Sequence, residues 1–135
     1  MQALNPQLEY NEHCAKACDW LLHNQHAAGS WINPFTKEQS AFYTALAIKA
    51  LLIHNPKKYS HQLKKAVSWL IGQQTMDGSW QTSRILSIPA TDVIDTSKIT
   101  HWRKSSFGVN AVVDDHNRIF TTVTAANALE HYRKL

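Results

Sequence analysis

The sequence predicts an all-α fold of two consecutive helix pairs, with a long insert in the second pair. Three observations predict it. A segment with two tryptophans, a glutamine and a glycine occurs twice, and its matching positions lie 49 residues apart. Apolar residues within and after each copy recur at the spacing of a helix face. A polar stretch separates the second copy from the last predicted helix.

The repeated segment predicts a clasp between helices. A glycine just beyond a helix can take the left-handed conformation that ends it. A Trp two residues later can fold back onto the last turn, and a Gln amide near the helix end can bond a neighbouring helix terminus. The matching clasp residues are Trp20, Gln25, Gly29 and Trp31 in the first copy and Trp69, Gln74, Gly78 and Trp80 in the second.

An apolar helix is predicted after each clasp. The first, Gln39–His54, has Thr36 as its expected N-cap, with Gln39 completing a capping box. It is apolar almost all round, which is typical of a buried helix. The second, Phe120–Tyr132, aligns with the first at an offset of 78 residues. We therefore expect one domain, 1–135, with repeats over 6–55 and 57–135.

The two offsets, 49 and 78, differ by 29 residues, which places an insert at 81–118 of the second repeat. Arg84–Ile88 and Val109–Val113 are predicted strands of a β-hairpin, and the polar stretch between them is a predicted loop. A long insertion on a helical scaffold is typical of a functional or interaction surface.

Composition excludes several classes of protein. Hydrophobic residues make up 44% and charged residues 18%, unlike a disordered chain. No apolar run reaches the roughly 18 residues of a membrane helix, and the N-terminus lacks a signal-peptide pattern. Cys14 and Cys18 are interpreted as small core residues, so a cytoplasmic location is expected. The net charge of +4 and a short lysine run indicate a solvated surface, with no nucleic-acid partner. No metal or cofactor is predicted.

The repeated pattern of helix, Gln-Gly-Trp clasp and apolar helix resembles the QW repeats of squalene-hopene cyclases and related prenyltransferase-type α/α toroids. The resemblance implies a partial α/α toroid of two helix pairs whose apolar helices line a cavity for an isoprenoid or other polyene. It also implies an isomerase-type cyclisation, in which an acid of an Asp-x-Asp-Asp motif protonates a double bond. It is specific for fold rather than for chemistry.

By this resemblance, Asp114 is the candidate general acid, and Asp115 is the neighbour that keeps it protonated. The sequence there is Val112-Val113-Asp114-Asp115, so only the last two acids of the motif are present. A solvated turn is the other interpretation of this segment. The candidate substrate-binding aromatics, which could instead be plain core, are Trp102, Phe107, Phe42, Tyr43 and Phe120.

Two helix pairs leave part of their apolar surface uncovered, so a homo-oligomer or a protein partner that completes the helical ring is expected. Two functions remain open. The chain is a cyclase-like enzyme that acts on an apolar polyene, or it is a non-catalytic half-toroid that binds a protein partner or carries a hydrophobic ligand.

Overall fold

The computed structural model describes residues 6–34, 36–82, 84–104 and 110–135, which form four α-helices and five short β-strands. The helices are α1 (Pro6–His23), α2 (Ala41–His54), α3 (Ser60–Gly72) and α4 (Ile119–Arg133). The strands are β1 (Trp31–Ile32), β2 (Gln39–Ser40), β3 (Arg84–Ile88), β4 (Arg103–Lys104) and β5 (Ala111–Asp114).

The prediction of an all-α fold is wrong, because these strands form two small sheets. In the first repeat, β1 pairs with β2 in an antiparallel arrangement. In the insert, the order is β3-β5-β4, with β3 antiparallel and β4 parallel to β5. Strand β3 covers the predicted segment, whereas β4 lies in the predicted loop. Strands of two residues are too short to show a periodic pattern in the sequence, so they were not predicted. They form because backbone groups that leave water need hydrogen-bond partners.

The start of α2 also differs from the expected capping box. Gln39 and Ser40 belong to β2, and the helix begins at Ala41. Ser40 is the N-cap, and its hydroxyl accepts a hydrogen bond from the Tyr43 backbone N–H at 3.3 Å. The Thr36 hydroxyl instead accepts from the Glu38 backbone N–H at 3.3 Å, within the turn that joins β1 to β2. Strand pairing therefore moves the helix start beyond Thr36.

Helix α2 is the centre of the core, since it packs against all three other helices and most extensively against α4. Its opposite side is exposed at Leu46 and Ile53, so the helix predicted to be buried all round is buried on one side only. The buried helical residues are Ala41, Thr44, Ala45, Ala47, Ile48, Leu51 and Leu52 of α2, Leu63, Ala66, Val67 and Leu70 of α3, and Thr121, Ala125 and Ala128 of α4.

Side-chain hydrogen bonds tie the insert to both repeats. The Asn33 amide, buried after β1, donates to the Arg84 carbonyl of β3 at 2.9 Å. The Thr121 hydroxyl of α4 donates to the Thr82 hydroxyl at 3.3 Å. The insert is thus anchored at the N-terminal end of α4. None of the helices in the described ranges is long and apolar enough to cross a membrane.

Candidate functional site

The first clasp joins three segments of the first repeat. The Trp31 indole N–H donates to the Leu21 carbonyl of α1 at 2.9 Å, and the Trp31 backbone N–H donates to the Thr44 hydroxyl of α2 at 2.9 Å. The Gln25 amide donates to the Gly29 carbonyl at 2.9 Å and so closes the turn after α1. Gly29 has φ +101°, a conformation that glycine adopts far more readily than other residues.

The second clasp has the same bonds at the equivalent positions. The Trp80 indole donates to the Leu70 carbonyl at 2.7 Å, and its backbone N–H donates to the Thr122 hydroxyl at 3.3 Å. The Gln74 amide donates to the Gly78 carbonyl at 2.8 Å. Each clasp fastens one helix pair, since the indole holds the first helix and the backbone N–H holds the second.

Trp20 and Trp69, which precede the clasps, have other surroundings. Trp69 is half-buried and packs against the core of the molecule. Trp20 is mostly exposed and lies in the wall of a cavity. The aromatic rings at these two positions therefore meet different environments, although the sequence aligns them.

The two candidate acids lie at the junction of the insert and α4. Asp114 is half-buried at the end of β5, opposite Arg84 of β3. Asp115 is buried, and its carboxylate accepts a hydrogen bond from the Thr121 backbone N–H at 2.7 Å. The first N–H groups of a helix lack partners within the helix, so this carboxylate caps α4. Asp115 thus has a structural partner in the part of the chain that the structure describes.

The candidate aromatics are dispersed. Phe42 and Tyr43 are half-buried at the start of α2, with ring centroids 5.8 Å apart in an edge-to-face arrangement. Burial raises the pKa of the Tyr43 hydroxyl. Phe120 is mostly exposed on the first turn of α4, and Trp102 is half-buried just before β4. Phe107 lies outside the described residues.

A cavity of about 600 Å³ lies between α1, α2 and β1. Apolar side chains form most of its wall, and its size falls within the range of small-molecule sites. Of the candidate aromatics that the structure describes, Tyr43 lines it. The other lining residues are Trp20, Leu21, Asn24, Trp31, Ile32, Pro34, Lys37, Leu46, Ala47 and Ala50.

An apolar stripe on α2 borders this cavity, and one of its residues, Leu46, also lines it. Phe42, Leu46 and Ile53 follow one another at helical spacing, and Leu46 and Ile53 are exposed. Phe120 of α4 occupies the position equivalent to Phe42 at the offset of 78. The two helices pack side by side, so their exposed apolar residues can form one surface.

The sequence interpretation did not assign several of these residues. The hydroxyls of Thr44 and Thr122 complete the clasps, and their signal was the shared offset of 78. Asp77 accepts hydrogen bonds from Ser79 and Thr75, and it pairs with Arg118 at 3.1 Å. These bonds hold the pKa of the Asp77 carboxyl well below its usual range. Its signal was the Asp-Gly-Ser turn sequence.

Neither a protein-family model nor a curated protein sequence matches the chain. Solved structures do match it. A variant of the type II terpene cyclase MstE from Scytonema, in complex with the product merosterolic acid A, superposes with a TM-score of 0.75 and 29% identity over 87% of this chain. Another MstE variant, in complex with the substrate geranylgeranyl dihydroxybenzoate, gives 0.74 and 28% over 87%. A protein from Actinoplanes gives 0.77 and 27% over 90%.

The chain therefore has a terpenoid-cyclase-like fold. It spans about a third of the length of the solved structures it matches, since it covers 34%, 36% and 37% of those three chains. The similarity extends across both helix pairs and the insert, because it includes nearly nine-tenths of this chain.

Proposed function

We propose that the chain forms part of the wall of a polyene-binding cavity and takes part in a type II, proton-initiated cyclisation. The observation that carries the proposal is the similarity, at 28% identity, to a terpene cyclase in complex with a geranylgeranyl substrate. We further propose that the two clasps are QW repeats of the squalene-hopene cyclase type. A polyene-binding site needs hydrophobic enclosure, for which the apolar stripe is suited.

In this proposal the polyene lies along the apolar stripe. Burying apolar chain against apolar side chains is favourable by roughly 25 cal/mol for each Å² removed from water. Phe42 and Phe120 also present aromatic rings, whose faces stabilise a nearby cation. No described segment of the chain covers the exposed residues of the stripe. The stripe therefore supports binding of a long apolar molecule rather than of a small polar one.

In the proposed reaction, Asp114 transfers its carboxyl proton to one carbon of a terminal double bond, and a carbocation forms at the other carbon. Neighbouring double bonds attack this cation in turn and close the rings. The last cation loses a proton to water and forms the final double bond, and the Asp114 carboxylate regains a proton from solvent, so the net reaction is an isomerisation. Asp115 acts as a positioning residue, because its bond to the Thr121 N–H holds the turn that follows Asp114.

The second candidate function is the non-catalytic module, which binds a protein partner or carries a hydrophobic ligand. The specific observation that favours it is the cap that Asp115 provides for α4. A structural role of this carboxylate accounts for Asp115 without any catalysis.

The test is incubation of the purified chain with geranylgeranyl dihydroxybenzoate, followed by mass-spectrometric detection of cyclised product and by a binding measurement. We expect Asp114→Asn to bind the polyene normally and to lose turnover by at least tenfold. Asp92→Asn, which changes an exposed acid of the insert, is the matched control. We expect Phe120→Ala to weaken binding, with Ile94→Ala as its control because Ile94 is fully exposed in the insert.

Binding without product in the unchanged chain would favour the carrier form of the module. Absence of binding, with the apolar stripe intact, would contradict the polyene proposal itself.

A further inference from the structure

We propose that the second repeat of one copy binds the first repeat of another copy, head to tail, through the same contacts that join the two repeats within a chain. This proposal does not rest on the proposed function. It rests on a comparison of equivalent positions, which lie 49 residues apart in α1 and α3 and 78 apart in α2 and α4. Positions that are buried between the two repeats have equivalents that are exposed at the outer ends or line the cavity.

The clasps show the first difference. Besides closing its own turn, the Gln25 amide donates to the Gln62 carbonyl of α3 at 3.1 Å. Its equivalent, Gln74, donates only to the Gly78 carbonyl among the described residues. Among the described residues, the bond that crosses from one repeat to the next is therefore made at the first clasp and has no counterpart at the second.

The clasp glycines show the same difference. A Cβ built on Gly29 would lie 2.6 Å from the backbone oxygen of Lys65, so α3 sits directly against this turn. A Cβ built on Gly78 would have no atom of the described chain within 4 Å. Near each clasp, Leu22 packs on the core, whereas its equivalent Ile71 is exposed.

Helix α4 presents the remaining part of this open surface. Ala41 and Ala45 of α2 are buried in the core. Their equivalents on α4, Ile119 and Val123, are each 60% exposed. We call the exposed set the trailing face; it comprises Ile71, Gln74, Gly78, Ile119 and Val123. Its residues are apolar or lack a side chain, apart from the Gln74 amide.

The first repeat has the complementary surface. Tyr59, at the start of α3, is buried beside Cys18 of α1 and is 1% exposed. Its equivalent on α1, Tyr10, is 65% exposed. The backbone of His13, which is equivalent to that of Gln62, lies one turn further along α1. A second copy's Gln74 amide could donate there as Gln25 does to Gln62.

The cavity completes this surface. Helix α4 packs against α2, and its buried residues are Thr121, Ala125 and Ala128. The equivalent positions on α2 line the cavity of about 600 Å³. Together with the exposed residues of α1, these positions form a surface that we call the leading face; it comprises Tyr10, His13, Tyr43, Ala47 and Ala50. In this proposal the cavity is the place where a preceding helix packs, and the apolar side chains of Ile119 and Val123 of another copy enter it.

Within one chain, the second repeat packs on the first through residues equivalent to these two faces. The trailing face of one copy therefore fits the leading face of another copy in the same arrangement. Such a contact is heterologous, so it leads to a closed ring or an open filament. One copy spans about a third of each solved structure that it matches. Three copies therefore supply the length of one such chain, and we infer that the ring closes at three.

The test is sedimentation velocity of the whole chain from low micromolar to high micromolar concentration. We expect association that increases with concentration and ends at a trimer. Val123→Glu places a charge in the trailing face, and Ala50→Glu places one in the leading face. Both positions are exposed, so the fold should persist. Circular dichroism checks this. Each variant alone is expected to be monomeric, and Ile94→Glu, at an exposed site in the insert, should associate normally.

Mixing the two monomeric variants gives the decisive result. Val123→Glu keeps its leading face and Ala50→Glu keeps its trailing face, so a 1:1 dimer that grows no further is expected. A monomer at every concentration in the unchanged chain would overturn the proposal. So would a dimer that both variants leave intact, or a mixture of the two variants that stays monomeric.

Discussion

The side-chain amide of Gln25 donates a hydrogen bond to the backbone carbonyl of Gln62, 3.1 Å away on the next repeat. The same amide closes its own turn through the Gly29 carbonyl. One side chain thus ends α1 and fixes the position of α3. At the second clasp, the Gln74 amide closes its own turn through the Gly78 carbonyl, and among the described residues it makes no bond to another repeat.

This difference predicts unequal effects of the same substitution. We expect Gln25→Ala to lower the free energy of unfolding by about 1–3 kcal/mol, because two acceptors lose a partner in a partly buried site. We expect Gln74→Ala to cost clearly less, since its site is exposed. Urea unfolding at a single, low protein concentration measures both. Equal losses would show that the contact between repeats contributes nothing to stability.

The clasp glycines give a second matched pair. Gly29 and Gly78 have φ of +101° and +85°, so alanine at either position costs about 1–2 kcal/mol from the backbone alone. At Gly29 the added Cβ also meets the Lys65 backbone, which cannot move without shifting α3. We therefore expect Gly29→Ala to lower the melting temperature more than Gly78→Ala does. The reverse order would contradict the described packing of α3 on the first clasp.

The capping role of Asp115 can be separated from a role in chemistry. We expect Asp115→Ala to destabilise the chain by about 0.5–2 kcal/mol, because the Thr121 N–H loses its partner at the start of α4. Asp115→Asn keeps an oxygen that can accept this bond, and it should restore most of the stability. Thermal unfolding measures this comparison. If asparagine is as harmful as alanine, then the negative charge rather than the hydrogen bond matters at this position.

The turn of the second clasp should respond to acid. Hydrogen bonds from Ser79 and Thr75 and the charge of Arg118 lower the pKa of the Asp77 carboxyl in the folded chain. A group whose folded pKa is lowered stabilises the fold above its unfolded pKa, which is about 3.9, and this contribution is lost as the pH falls further. We expect part of the stability loss below about pH 4 to disappear in Asp77→Asn. The comparison is urea unfolding of both proteins across the acid range, with Asp92→Asn, which changes an exposed acid of the insert, measured alongside as the matched control.

The repeat was predictable because its bonds are local and occur twice. Trp31 reaches back to Leu21 and Trp80 reaches back to Leu70, in each case across one helix end. A bond between residues ten apart has the same spacing in both copies, so the alignment predicted that each Trp folds back onto the last turn, although it did not identify the accepting carbonyls. The apolar sequence of α2 indicated a helix buried all round, whereas only one of its sides is buried.

The sheets and the helix caps were not predictable in this way. The N-cap of α2 is Ser40 rather than the predicted Thr36, because Gln39 and Ser40 pair with β1. A two-residue strand has no periodic pattern from which this pairing could be predicted. The bond from Asp115 to Thr121 depends on the αL turn at Arg118, where φ is +59°. Neither the length of the turn nor its direction is encoded in the residue pattern.

By itself, the sequence predicted the two repeats, the clasp residues and the place of the insert, because hydrophobic spacing and short-range hydrogen bonding produce regular patterns in the sequence. Only the tertiary structure decided which equivalent positions are covered. Gln25 and Gln74 are the same residue in the same local motif, and they differ because α3 lies against the first clasp whereas no described segment lies against the second. Burial is a property of packed neighbours, so identical local sequences can have different surroundings.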